Sequence, residues 1–209
     1  GAREIRFFDD TFTLDPGHVD AVCEAMRARA AGIPWTCLTR VTKVTKDMLV
    51  MMRRSNCWQV LYGLESGDDA ILSRLGKGTT VEQNRKAVMW AREAGLSVRA
   101  DFLVGTPWET PQTLEKTLAF AKSLPLDMAH FNKFVPYPGT ALYRSLVKEG
   151  RKIDFDDGSY INNHCEFAYV PEGLTQAAYM SFLNRSYKEF YLRPLYLARR
   201  ISSLRSLEE

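Results

Sequence analysis

The sequence is poor in the residues that most often advertise chemistry. Its 209 residues include four cysteines and three histidines. None of Cys23, Cys37, Cys57 and Cys165 lies within four residues of another. That spacing excludes the CxxC and CxxxCxxC signatures of metal and cluster loops within this chain. Isolated cysteines in such a chain read as small buried apolar side chains in a reducing cytosol, so a cytoplasmic location is expected. His18, His130 and His164 also stand alone and read as structural or exposed. No run of about 18 apolar residues exists, which excludes a spanning helix, and no signal-peptide pattern opens the chain. A formal charge of +3, spread along the sequence except near the C-terminus, argues against nucleic acid as a partner. There is no low-complexity segment.

What the sequence does have is a series of hydrophobic stretches that each end in polar residues. Ile5-Arg6-Phe7-Phe8 runs into Asp9-Asp10-Thr11, and Trp35-Thr36-Cys37-Leu38 into Thr39-Arg40-Val41. The stretch from Gln59 to Leu64 ends in Glu65-Ser66-Gly67, and that from Ser97 to Val104 in Gly105-Thr106-Pro107. His130 to Val135 ends in Pro136-Tyr137-Pro138-Gly139-Thr140. A helical pattern follows each. Asp15-Pro16 reads as a helix start and Thr80-Val81-Glu82-Gln83 as a capping box. Five strands in strict alternation with helices predict a parallel sheet or barrel. In such folds the carboxyl ends of the strands form the ligand-binding rim.

Residues 151–173 break the pattern. The Asp-rich stretch Asp154-Phe155-Asp156-Asp157-Gly158 lacks EF-hand spacing, so calcium is not expected there. A helical stretch follows from Leu174 to Leu207, with a kink expected at Pro194. The division is thus residues 1–150, a partial α/β barrel, and residues 151–209, a polar loop with a C-terminal helical extension.

Four of these segments resemble motifs of the radical S-adenosylmethionine (SAM) superfamily. They are Phe7-Phe8-Asp9-Asp10-Thr11-Phe12; Gly63-Leu64-Glu65-Ser66-Gly67 followed by Leu75-Gly76-Lys77-Gly78-Thr79; Gly105-Thr106-Pro107-Trp108-Glu109-Thr110; and Pro136-Tyr137-Pro138-Gly139-Thr140. Their order, with Phe190-Tyr191-Leu192-Arg193-Pro194, is similar to the subgroup that often carries a cobalamin-binding domain. The resemblance covers about residues 4–200. It implies an α/β fold of partial (β/α)6 type in which this chain supplies strands two to six. It also implies an enzyme in which a [4Fe–4S] cluster cleaves SAM to a 5′-deoxyadenosyl radical. Cobalamin-dependent methyl transfer or rearrangement is the implied outcome. The cluster-binding cysteine loop is absent here, so the resemblance implies a fragment that is inactive alone and binds SAM weakly.

The parts of SAM assign expected partners along the rim. Asp10, with Thr11 beside it, stands where the family meets the SAM ammonium. Alternation along a strand would let only one of Asp9 and Asp10 face inward. Arg40 offers a bidentate fork to the carboxylate. Glu65, with Ser66, suits the ribose diol, although Ser66 could instead cap the next helix. Gly105 permits backbone approach to adenine, or serves only its turn, and Tyr137 is placed to stack on the base. No catalytic residue, metal ligand or substrate is legible. Asn132, Lys133 and Asp101 lie in strands, and Asp101 could simply pair with Arg99 or Lys133. Two rivals stand beside this reading: a metal-free lyase or isomerase with Asp10 and Glu65 as acid and base, and a non-enzymatic interaction scaffold. An incomplete barrel also exposes a strand edge at residues 5–8, which predicts a homodimer through that edge.

Overall fold

Along the strand Ser97–Val104, Val98, Ala100, Phe102 and Val104 are fully buried, while Ser97, Arg99, Asp101 and Leu103 between them are half-buried. This period of two marks a sheet with one face under helices and the other toward a concave opening. The computed structural model describes residues 3–30, 32–153 and 167–205. Its sheet contains five parallel strands in sequential order: β1 (Ile5–Phe7), β2 (Trp35–Thr39), β3 (Cys57–Glu65), β4 (Ser97–Val104) and β5 (Met128–Lys133). The helices are α1 (Pro16–Arg29), α2 (Lys46–Arg54), α3 (Asp69–Arg74), α4 (Val81–Glu93), α5 (Pro111–Ser123), α6 (Ala141–Lys148), α7 (Gln176–Tyr191) and α8 (Pro194–Arg205). The alternating α/β architecture expected from the sequence is present.

Local chemistry sets the boundaries. Asp15 caps α1 by accepting from the Gly17 N–H at 2.9 Å, with Pro16 as the first helical residue. Thr80 and Gln83 close a reciprocal capping box on α4. The expected long C-terminal helix is two helices, because Pro194 has no N–H to continue α7 and instead starts α8.

One continuous core lies between the sheet and its helices. It includes Trp35, Tyr62, Leu64, Leu96 and Phe102 from the barrel segment and Tyr179, Phe182 and Phe190 from α7. Cys23, Cys37 and Cys57 are free and buried in it. The Asp-rich stretch, His164 and Cys165 lie outside the described residues.

Candidate functional site

Three charged groups meet where β2 and β3 end. β3 carries a bulge in which Leu64 and Glu65 oppose Phe102 alone, and Glu65 adopts φ +62°. A left-handed backbone is uncommon for a residue with a Cβ and clusters at functional sites. The bulge re-aims the Glu65 side chain over Gly63, where an added Cβ would lie 2.5 Å from Glu65 Oε1 and 3.0 Å from Lys77 Nζ. Lys77 donates to Glu65 Oε1 at 2.6 Å, with both side chains about three-quarters buried. Lys77 itself sits between Gly76 and Gly78, both with positive φ. Arg40, the residue after β2, donates from Nη2 to the Lys77 carbonyl oxygen at 2.8 Å. The result is a rim of two cations and one carboxylate, with Glu65 Oε2 and further Arg40 N–H groups left to meet a ligand.

Ser66 is turned the other way. It is fully buried, 3.1 Å from Thr117 Oγ1 on α5, and accepts from the Asp68 N–H at 3.1 Å. Its hydroxyl ties the β3–α3 turn to α5, while the cap of α3 is Asp68, which accepts from the Ala70 and Ile71 N–H groups. Gly67 is pressed against that helix too, since a Cβ there would lie 2.6 Å from the Lys116 carbonyl oxygen.

At the end of β4, Gly105 has φ +85°. A Cβ there would collide with the Tyr179 hydroxyl at 1.9 Å, so Tyr179 uses the close approach that glycine permits. The Tyr179 hydroxyl donates to the Val104 carbonyl oxygen. The buried Glu109 carboxyl accepts from the Gly105 N–H at 2.5 Å and the Thr106 N–H at 2.8 Å, all through Oε2. Its Oε1 has no hydrogen-bond partner among the described residues. Burial pushes this carboxyl up to about 7, against the pull of the two N–H groups.

Asp10 and Thr11 stand apart from this cluster. β1 ends at Phe7, so Asp9 and Asp10 lie in a loop and turn, and strand alternation does not decide which faces inward. That step of the sequence argument is corrected: only Ile5, Arg6 and Phe7 pair with β2. Asp10 is exposed, Thr11 donates to the Asp10 carbonyl oxygen at 2.7 Å, and no hydrogen bond or ion pair among the described residues joins Asp10 to Glu65. Tyr137 follows β5 with a half-exposed ring, and Thr140 bonds its carbonyl oxygen at 2.8 Å.

Below the rim, the concave face of the sheet encloses a cavity of about 440 Å³, lined by Phe7, Leu38, Trp58, Leu61, Arg99 and Asp101 among others. Arg99 Nε donates to Asp101 Oδ1 at 3.2 Å, the pairing anticipated for Asp101, and Arg99 Nη2 lies 3.3 Å from His130 Nδ1.

The Radical SAM superfamily profile matches residues 1–121, which include β1 to β4 and the Arg40–Lys77–Glu65 cluster. This chain belongs to the radical SAM superfamily. An uncharacterised methyltransferase from Pyrococcus horikoshii is 32% identical over 201 residues, which is 96% of this chain and 43% of that protein. The anaerobic magnesium-protoporphyrin IX monomethyl ester cyclase of Rubrivivax gelatinosus is 27% identical over 93% of this chain and 35% of its own length. Among solved structures, the radical SAM enzyme coproporphyrinogen III oxidase of Escherichia coli superposes with a TM-score of 0.65 at 16% identity, covering 91% of this chain and 40% of that one. The cobalamin- and [4Fe–4S]-bound radical SAM methyltransferase TsrM of Kitasatospora setae gives 0.61 at 20% identity, covering 70% and 29%. The sheet therefore has the fold of a partial radical SAM barrel, and the chain spans less than half the length of these relatives.

The donor sets differ in what they fit. A carboxylate beside two cations suits the diol and carboxylate of SAM. For a cluster, the described residues offer no group of three or more His, Cys, Asp or Glu that could hold a metal, and Cys23, Cys37 and Cys57 are sealed in the core. Two residues escaped the sequence reading. Lys77 was legible as a lysine fixed between two glycines in the motif after β3. Glu109 was legible as an acid four residues past the Gly105 turn, a spacing that lets it reach back to the turn's N–H groups.

Proposed function

We propose that this chain forms the SAM-binding rim of a radical SAM enzyme, with the [4Fe–4S] ligands supplied outside it. The observation that carries the reading is the Arg40–Lys77–Glu65 cluster at adjacent strand ends within the matched family segment. When bound, the cluster supplies the electron that cleaves SAM. The residues described here bind and orient. Arg40 presents its fork to the methionyl carboxylate. Glu65, braced by Lys77, takes the ribose diol through its remaining oxygen. Tyr137 flanks the adenine, and Gly105, whose N–H is held by Glu109 and whose open side is filled by Tyr179, offers it the carbonyl oxygen. Asp10 and Thr11 meet the ammonium from the β1 loop. Residues 1–150 carry this chemistry, and α7, within the 151–209 extension, buttresses it through Tyr179, Phe182 and Phe190.

The relatives favour methyl transfer or ring formation as the outcome, with cobalamin as a further cofactor by analogy to the TsrM structure. No helix among the described residues is long and apolar enough to cross a membrane, and three free buried thiols suit a reducing, cytoplasmic setting. The bare β1 edge supports association of two copies.

The test has two parts. Calorimetry on this chain measures SAM binding. Glu65→Gln is expected to weaken it by about tenfold, the scale of one charge-assisted hydrogen bond. The native full-length polypeptide, reconstituted with iron and sulfide without oxygen, is expected to show cluster absorbance and release 5′-deoxyadenosine. SAM binding indifferent to Glu65, or a colourless full-length protein without cleavage, sinks the reading.

A further inference from the structure

The concave face contains one guanidinium whose bracing is lopsided. Arg99, Asp101 and His130 occupy adjacent strands: Asp101 pairs in register with Gly63 on one side and His130 on the other. Arg99 gives Nε to Asp101 and Nη2 to the His130 ring nitrogen. Those two groups form the side edge of the guanidinium. The end edge, made of Nη1 and the outer Nη2 hydrogen, makes no other hydrogen bond among the described residues. It is the edge whose spacing matches a carboxylate bidentately.

The surroundings extend the argument. Arg99 is about 30% exposed and lines the cavity, whose walls include Phe7, Leu38, Trp58, Leu61 and Met128. Desolvation and the Arg99 charge hold His130 below its ordinary range, which keeps its Nδ1 an acceptor for Arg99 instead of a second cation. Arg6 lines the same cavity but is already engaged: it meets Glu4 through Nε at 3.3 Å and Nη2 at 3.2 Å, and the Trp58 indole N–H also donates to that carboxylate at 3.3 Å. A purely structural Arg99–Asp101 pair would need neither an open fork nor an apolar chamber in front of it.

We propose that the Arg99 end edge binds the carboxylate of an apolar-bodied organic anion seated in the concave cavity, and that Asp101 and His130 hold the guanidinium in place for it. This names the substrate class of the radical SAM site and rests on that reading only in calling the ligand a substrate. The binding itself requires neither SAM nor a cluster.

The experiment titrates this chain with 1-naphthaleneacetate and separately with 1-naphthaleneacetamide, following the His130 imidazole and Trp58 indole resonances. The acid is expected to bind about tenfold more tightly than the amide, the scale of one charge-assisted pair. Arg99→Gln should lower the acid to the level of the amide and leave the amide unchanged. Should that variant unfold, Arg99→Lys decides: it keeps a charge without the fork, and the preference should fall to about threefold. Three results overturn the proposal: equal binding of acid and amide by the native chain, a preference that survives these substitutions undiminished, or no movement of either resonance at millimolar probe. Any of them would leave SAM binding at the rim, measured separately with Glu65→Gln, standing or falling on its own.

Discussion

The two edges of the sheet solve the same problem in opposite ways. A parallel edge strand presents a row of N–H and C=O groups that invite another strand. At β5 that row is taken by side chains from α7 and α8. The Tyr191 hydroxyl accepts from the Ala129 N–H at 3.1 Å and donates to the Ala129 carbonyl oxygen at 3.0 Å. Tyr187 accepts from the Phe131 N–H at 3.2 Å, and Tyr196 donates to the Asp127 carbonyl oxygen at 2.8 Å. At β1 nothing comparable stands guard among the described residues. The strand has three residues paired only to β2, and Phe8 beyond it is 84% exposed. Among the described residues, one edge carries its own stopper and the other does not.

Four changes break or sharpen that contrast. The largest effect is expected from Phe190→Ala. Phe190 is fully buried and packs edge-to-face with Phe131 and Tyr191 and tilted against Tyr196, so it seats the tyrosine row. Its truncation should lower stability by about 3–5 kcal/mol, read from urea unfolding.

The second concerns the turn beneath Tyr179. Glu109 titrates near 7 when folded against an ordinary 4.5, so between those values the folded protein holds a proton that the unfolded chain releases. Stability should therefore be greatest at the acid end and fall as pH rises to 7, by about 3 kcal/mol. Glu109→Gln keeps an acceptor for both N–H groups and should flatten that slope; an unchanged slope would assign it to other groups. Third, Tyr191→Phe strips the partner from both Ala129 backbone groups, at a cost of about 1–3 kcal/mol. It should also open the β5 edge, so that light scattering at raised concentration detects a second mode of association. The smallest change in stability belongs to Phe8→Lys, within about 0.5 kcal/mol. It should nonetheless convert any dimer of the native chain to monomer, because a charge at an edge opposes pairing. A native chain that is already monodisperse and monomeric would refute the edge-mediated dimer.

The strands, their order of appearance and the rim were legible because period-two burial and capping chemistry are written locally. Ser97 to Val104 needs no partner to announce itself, and neither does the Thr80–Gln83 box. The orientation of rim side chains was less legible, because it depends on where a strand stops. Asp10 was assigned a face by alternation, but β1 ends three residues earlier. Ser66 follows Glu65 directly, yet a bulge and a left-handed backbone send the two apart, one to Lys77 and one to Thr117. The tyrosine row was invisible for another reason. Tyr187, Tyr191 and Tyr196 read as ordinary helical residues, and only the docking of α7 and α8 along β5 gives their hydroxyls a purpose.

Gly63 sets how near two bound molecules can come. It lies on the concave face between the Glu65–Lys77 pair at the rim and Asp101 in the chamber, and a single methyl there would strike Glu65 Oε1 and crowd Lys77. Two residues along a strand span roughly 6–7 Å, so a guest at the rim and a guest in the chamber would be next-door neighbours with only the low-lying Glu65–Lys77 pair between them. The hydrogen at this position is the seat on which that pair lies down, and Gly63→Ala would lift the carboxylate off it and raise the threshold between the two rooms.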